Sequence, residues 1–214
     1  MRPRGRSRPS NSASYRPRPE LAAVALLVAA TGCASARLPA PAVVEQARIA
    51  SSWSGSLRVS VRGEDLRGRS RALVAFDRPD SLRIEIPGPA GARLVAVTRD
   101  GRLHAVLAAD RARLESAATA AELDALIGIA LTPNELMDLL VGKEPPGART
   151  YRADWGDTLP RRVRAELLDG TRVDARIDEA ETGVEFPPAA FDPPRCDNCR
   201  LIDASEARRL LGGR

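Results

Sequence analysis

Apolar and charged residues alternate one for one along segment after segment of this 214-residue chain. In GSLRVSVRG (55–63), Leu57, Val59 and Val61 fall on one side and Arg58 and Arg62 on the other. RSRALVAFDRP (69–79) continues the pattern, and SLRIEIPG (81–88) repeats it with Leu82, Ile84 and Ile86 against Arg83 and Glu85. A period of two belongs to a strand with one apolar and one wet face; a helix would repeat about every 3.6 residues. Residues 92–110 read as a hairpin turning at Asp100-Gly101, a two-residue turn whose central positions both need positive φ. Residues 161–178 read as a second, turning at Asp169-Gly170, with Val163, Ala165, Leu167, Val173, Ala175 and Ile177 on its apolar side. Weaker segments at 111–116, 149–154, 182–187 and 199–203 bring the count to about eleven strands, too many for a flat sheet. The expected fold is mainly β: a curved antiparallel sheet forming an incomplete β-barrel.

Two short helices interrupt the strands. Thr119-Ala120-Ala121-Glu122 and Thr132-Pro133-Asn134-Glu135 both read as capping boxes, the second with proline at its first helical position. Each shows one apolar stripe, Leu123, Leu126 and Ile127 on the first and Leu136, Leu139 and Leu140 on the second, and Gly128 and Gly142 are the natural stops. Helices with stripes facing one way are shaped to cover the concave apolar side of a curved sheet.

The first 32 residues have the composition of a signal peptide. Arg2, Arg4, Arg6, Arg8, Arg16 and Arg18 face a single acid, Glu20, and Leu21–Ala30 is an apolar run far short of the roughly 20 residues that span a bilayer. The run closes on Ala30-Thr31-Gly32-Cys33, which resembles the lipobox of bacterial lipoproteins, and the resemblance implies that Cys33 is diacylated and becomes the N-terminus. In the sorting rule of that resemblance an Asp after the cysteine retains the protein at the inner membrane. Ala34 and Ser35 stand there instead, which implies the outer membrane. Residues 33–44 then form a lipidated Pro/Ala-rich tether, and 44–53 (VEQARIASSW) is expected to be a short helix. The folded domain is expected over 45–203, with 204–214 a short helical tail of no obvious chemistry.

The formal charge of +5 belongs to the leader: without the six arginines and one acid of residues 1–32, 27 basic and 27 acidic residues remain. A neutral mature chain gives no reason to expect nucleic acid as a partner. Catalytic signals are sparse. His104 is the only histidine, opposite Leu103, Ala105 and Leu107 on its strand, and has no Ser or Cys partner at a recognisable spacing. No metal, cofactor or catalytic residue is assigned. Cys196 and Cys199 form a CxxC, a pattern used as half a metal site, a redox pair or a disulfide. A four-thiolate site would need a second pair, and a thioredoxin-type pair opens a helix after a strand, whereas DPPR precedes this one and RLID follows. Outside the cytoplasm a disulfide is the expected state.

Trp53-Ser54-Gly55, DSLRIEIPGPAGARLVAVTRDG (80–101) and above all LIGIALTPNELMDLLVGKEPP (126–146) resemble the LolA/LolB-like lipoprotein-binding family and related outer-membrane lipoproteins of unassigned function. The resemblance spans about 45–190. It implies an incomplete barrel whose helices close an apolar cavity for acyl chains of lipoproteins or other lipids. Carried onto this chain, that cavity is lined by Leu57, Val59, Val61, Leu82, Ile84 and Ile86 from strands and by Leu123, Leu126, Leu136, Leu139 and Leu140 from helices. The resemblance further implies a membrane-facing loop, here Pro89, Ala90 and Gly91, where the family pattern has Pro-Leu-Gly. Alanine offers a bilayer less apolar area than leucine, at about 25 cal/mol per Å². The expectation is thus a monomeric, non-enzymatic outer-membrane lipoprotein with acyl chains or lipoproteins as cargo. The alternative is a structural lipoprotein without cargo, and an envelope thiol oxidoreductase using Cys196 and Cys199 ranks third.

Overall fold

In the computed structural model, residues 39–63, 67–89 and 91–211 are described. The leader, Cys33 and Ala90 lie outside them. The chain enters through α1 (Pro41–Arg48), which starts and ends earlier than its sequence suggests. Pro41 sets the helical φ at the first position, and Ser52 and Trp53, expected at the helix end, already belong to β1 (Ser52–Arg62) because they pair with neighbouring strands. Then follow β2 (Arg67–Asp77), β3 (Ser81–Gly88), β4 (Gly91–Arg99), β5 (Arg102–Leu107) and β6 (Ala112–Ala117). The helical pair α2 (Ala120–Ile127) and α3 (Pro133–Leu140) comes next, then β7 (Ala148–Trp155), β8 (Pro160–Leu167) and β9 (Arg172–Thr182). A three-residue strand β10 (Arg200–Ile202) and helix α4 (Ala204–Leu211) close the chain.

All ten strands form one sheet in the order β10-β6-β5-β4-β3-β2-β1-β9-β8-β7. Every pairing is antiparallel except β10 on β6. The sheet is not closed, since β10 and β7 are its two edges. After β6 the chain must therefore cross almost the whole sheet to begin β7, and α2 and α3 make that crossing. Helix α3 touches both β3 and β8, four places apart in the sheet, so the sheet curls around it. This is the incomplete barrel expected from the strand count.

Among the described residues there are ten strands, not eleven, because 182–187 does not form one: Thr182 ends β9, Gly183 takes φ 71° and Pro187 and Pro188 follow. Asp100 and Gly101, at φ 50° and 70°, make the two-residue hairpin turn. The other hairpin is longer: only Gly170 takes positive φ (86°), Leu168 and Asp169 turn ahead of it, and the Leu167 amide donates to Thr171 O at 2.8 Å.

The core fills the inner side. Trp53 and Phe76 are fully buried and stack at 5.9 Å between centroids. Gly55 allows this: a Cβ there would lie 2.5 Å from Glu179 O and 2.7 Å from the Trp53 ring, beside the β1–β9 register shift at Ser56/Leu57. Thr132 and Glu135 form the complete capping box of α3, and the second Glu135 oxygen accepts from the Gly147 amide at 2.8 Å. The α2 box is half made: Thr119 accepts from the Glu122 amide, while Glu122 Oε2 finds no partner among the described residues. Asp138, 8 % exposed, receives Arg78 at 2.7 Å and Lys143 at 2.9 Å, tying α3 to the β2–β3 turn.

Candidate functional site

Between the inner face of the sheet and the helices lies a cavity of 240 Å³. Strand alternation puts Leu57, Val59 and Val61 of β1 and Leu82, Ile84 and Ile86 of β3 on its sheet wall, joined by Ala72 and Val74 of β2 between them. The helical wall is Leu126 and Ile127 of α2 with Leu136, Leu139 and Leu140 of α3. Every side chain assigned to the cavity from sequence is thus brought to one space, with one exception. Leu123 is fully buried in the core and does not line the cavity. It lies one turn before Ile127, where α2 packs on α4.

Sequence reasoning missed α4 as a wall. Leu211 and Arg208 border the cavity, and Ala207 is fully buried. The signal was present: Ala207, Leu210 and Leu211 share one helical face, and Asp203 caps the helix by accepting from the Glu206 amide at 2.8 Å. The Arg208–Asp124 ion pair at 3.3 Å links α4 to α2, and Arg93 donates to Leu211 O at 3.0 Å. These polar groups border the cavity on one part of its rim, while Gly68, Arg69 and Ser70 of β2 border it on another.

Among the described residues no three His, Cys, Asp or Glu side chains group as a metal site would require. Tyr151 packs against the core, its hydroxyl has no partner there among the described residues, and burial pushes the phenol well above its ordinary pKa, so it stays protonated. His104 lies half-buried on the outer face of β5. The Pro89–Gly91 loop joins β3 to β4 with Pro89 exposed. No described helix is long and apolar enough to cross a membrane.

The outer face departs from the evenly solvated surface that the alternation suggests. Over β3–β6 it carries the loop 183–199, in which Cys196 and Cys199 are joined as a disulfide. Pro193, Pro194 and Cys196 line one depression together with Val106, Arg113 and Glu115, and Phe191 is buried with Phe186 edge-on at 5.1 Å. Val97, outward on β4, is fully buried, and Arg83, expected on the wet face, is half-buried between Glu85 at 2.6 Å and Ala190 O at 3.1 Å. Alternation assigns a side chain to a face but says nothing of a distant loop returning to cover it.

No family model and no curated protein matches the chain. Among solved structures it is similar to an uncharacterized conserved protein from Thermus thermophilus, at 13 % identity and a TM-score of 0.44 over 76 % of this chain and 97 % of that one. A DUF1329 family protein from Desulfovibrio piger is similar at 9 % identity and a TM-score of 0.42, over 70 % of this chain and 92 % of that one. The structural neighbours also include a LolA superfamily protein from Nitrosomonas europaea, at 10 % identity and a TM-score of 0.41 over 72 % of this chain and 98 % of that one.

Proposed function

We propose that the chain is a lipid-anchored envelope protein, held at the outer membrane through Cys33, that takes an acyl chain of a lipid or lipoprotein into its inner-face cavity and catalyses no reaction. The observation that carries this reading is the cavity wall itself. Aliphatic side chains from four strands and three helices surround an unfilled space, where close packing is the rule for a core without a ligand. Apolar walls with polar groups confined to the rim suit a molecule with a hydrocarbon body and a polar end. Ala90, outside the described residues, stands where the resembling pattern has leucine, so the reading is of binding and not of insertion into a bilayer.

The test is mass spectrometry of lipids extracted from full-length Cys33→Ala protein purified without detergent. Stoichiometric acyl lipid is the expected result, and lipid-free protein would count against the reading. A second reading, a structural outer-membrane lipoprotein without cargo, is favoured by one observation: 240 Å³ falls below the about 300–1,000 Å³ usual for ligand pockets. The two differ in whether filling the cavity costs anything but empty space.

A further inference from the structure

Among the described residues no loop covers the outer face of β1, β2, β7, β8 and β9, and its charges work against the sheet. The register sets arginine opposite arginine in rows. In one row Arg71 lies opposite Arg58, Arg58 opposite Arg176 and Arg176 opposite Arg162. In a second, Arg67 lies opposite Arg62 and Arg62 opposite Arg172; in a third, Arg152 lies opposite Arg164. Like charges directly opposite each other on a sheet face destabilise the pairing. Carboxylates offset part of the repulsion: Asp178 holds Arg58 at 2.6 Å and Asp174 holds Arg162 at 2.5 Å. The excess remains, because the rows surround a broad depression of 1340 Å³ lined by eight arginines and three carboxylates. Since the chain after residue 32 is balanced in charge, this is segregation and not composition.

We infer that this depression docks on the phosphate layer of an anionic phospholipid membrane. Five strands about 4.8 Å apart spread the guanidinium groups over roughly 20 Å, the scale of an array of headgroups and not of one small anion. A nucleic acid fits less well, because the outward positions of these five strands include no aromatic ring on which bases could stack. The Cys33 anchor, part of the functional reading on which this inference rests, would keep the face within reach of headgroups. Arg69 and Ser70 line both the depression and the inner cavity, so docking brings one border of that cavity to the membrane surface.

The test is co-sedimentation of full-length Cys33→Ala protein with vesicles of equimolar phosphatidylglycerol and phosphatidylcholine, and with phosphatidylcholine alone. Preferential binding to the anionic vesicles, weakened by salt, is expected. A triple variant Arg69→Ser, Arg71→Ser, Arg176→Ser should lose about a hundredfold in affinity, at about fivefold per arginine. Arg102→Ser, Arg195→Ser, Arg209→Ser removes the same charge from exposed positions elsewhere and should bind like the parent. Circular dichroism on each variant separates lost binding from lost folding, and a triple variant that does not fold is replaced by the single Arg176→Ser, expected to lose about fivefold. The inference is overturned if the parent binds both vesicles equally or neither, or if the face variant binds like the parent, as it would were the arginines of residues 1–18 responsible. It is also overturned if the two triple variants lose alike, or if duplex DNA at matched charge displaces the protein from vesicles. Fatty-acid uptake is scored separately, so failure here leaves the cavity reading standing, and the reverse also holds.

Discussion

Leu57 and Arg58 are adjacent in sequence and stand in opposite worlds: one is 3 % exposed against a helix-covered cavity, the other reaches outward toward Asp178 on a bare sheet face. The same strands β1, β2 and β9 make both faces. The inner face is covered because the chain has to cross it between β6 and β7, whereas among the described residues the outer face is covered only where the disulfide loop returns over β3–β6. Side-chain period therefore determines which face a residue joins, and topology determines what meets that face. The inner face collects the apolar energy of folding; the bare outer face collects charge whose best use lies outside the fold.

Substitutions on single strands break this contrast most sharply. Ile84→Asp places a carboxylate on the cavity wall, where an unpaired charge costs several kcal/mol, at least about 2. It should abolish uptake of a fluorescent fatty acid and lower Tm by many degrees, the two being separated by circular dichroism. Leu73→Asn, outward and 46 % exposed on the neighbouring strand, should leave both unchanged within error. Equal losses in the pair would mean the two faces are not distinct.

Asp138→Ala tests the crossing itself. Removing the carboxylate leaves Arg78 half-buried over Phe76 and frees α3 from the β2–β3 turn, at a cost of about 1–3 kcal/mol in chemical denaturation. Fatty-acid affinity should fall with it, because Leu136, Leu139 and Leu140 ride on that helix. The double variant Cys196→Ser, Cys199→Ser tests the other cover. Closing so short a loop restricts the unfolded chain little, so the loss should stay below about 2 kcal/mol with fatty-acid uptake intact. Lost function at unchanged stability would revive the thiol-oxidoreductase reading.

The smallest effect belongs to the bare face. Hydrogen bonding from Arg162 holds the Asp174 carboxyl below its ordinary pKa. Its contribution is present above the unfolded value near 4 and is lost as pH falls through the lower folded value. Asp178 is shifted the same way by Arg58. Thermal melts from pH 7 to pH 3 should show Asp174→Asn converging on wild type at the acid end, the difference at neutral pH being under about 1 kcal/mol for so exposed a pair. A gap that widens with acid would reverse the sign.

Much of this was legible in the chain. Alternation identified the sheet, Asp100-Gly101 its turn, and Thr132-Pro133 through Glu135 the start of the covering helix, because each signal is local and the structure agrees with it locally. The wall residues followed, since period two and one helical stripe suffice to name Ile84 and Leu139. What escaped is non-local. Leu123 shares its stripe with Leu126 but meets the core first, α4 reaches the cavity from the far end of the chain, and the arginine rows exist only through a register that pairs Arg58 with Arg71 and Arg176. Single-strand reading saw each arginine as one wet residue among many.

The central claim is that the inner cavity is kept open for an acyl chain, and filling it tests that claim most directly. Ala72→Leu and Ala175→Leu each add side-chain volume at small residues of the cavity wall without adding charge. Titration of full-length Cys33→Ala protein with a fluorescent fatty acid should give one saturable site, and the double-filled protein, folded by circular dichroism, should bind at least tenfold more weakly. A filled protein that binds as the parent does, or a parent that binds no probe while the filled protein is simply more stable, would contradict it and leave a structural lipoprotein with an imperfectly packed core.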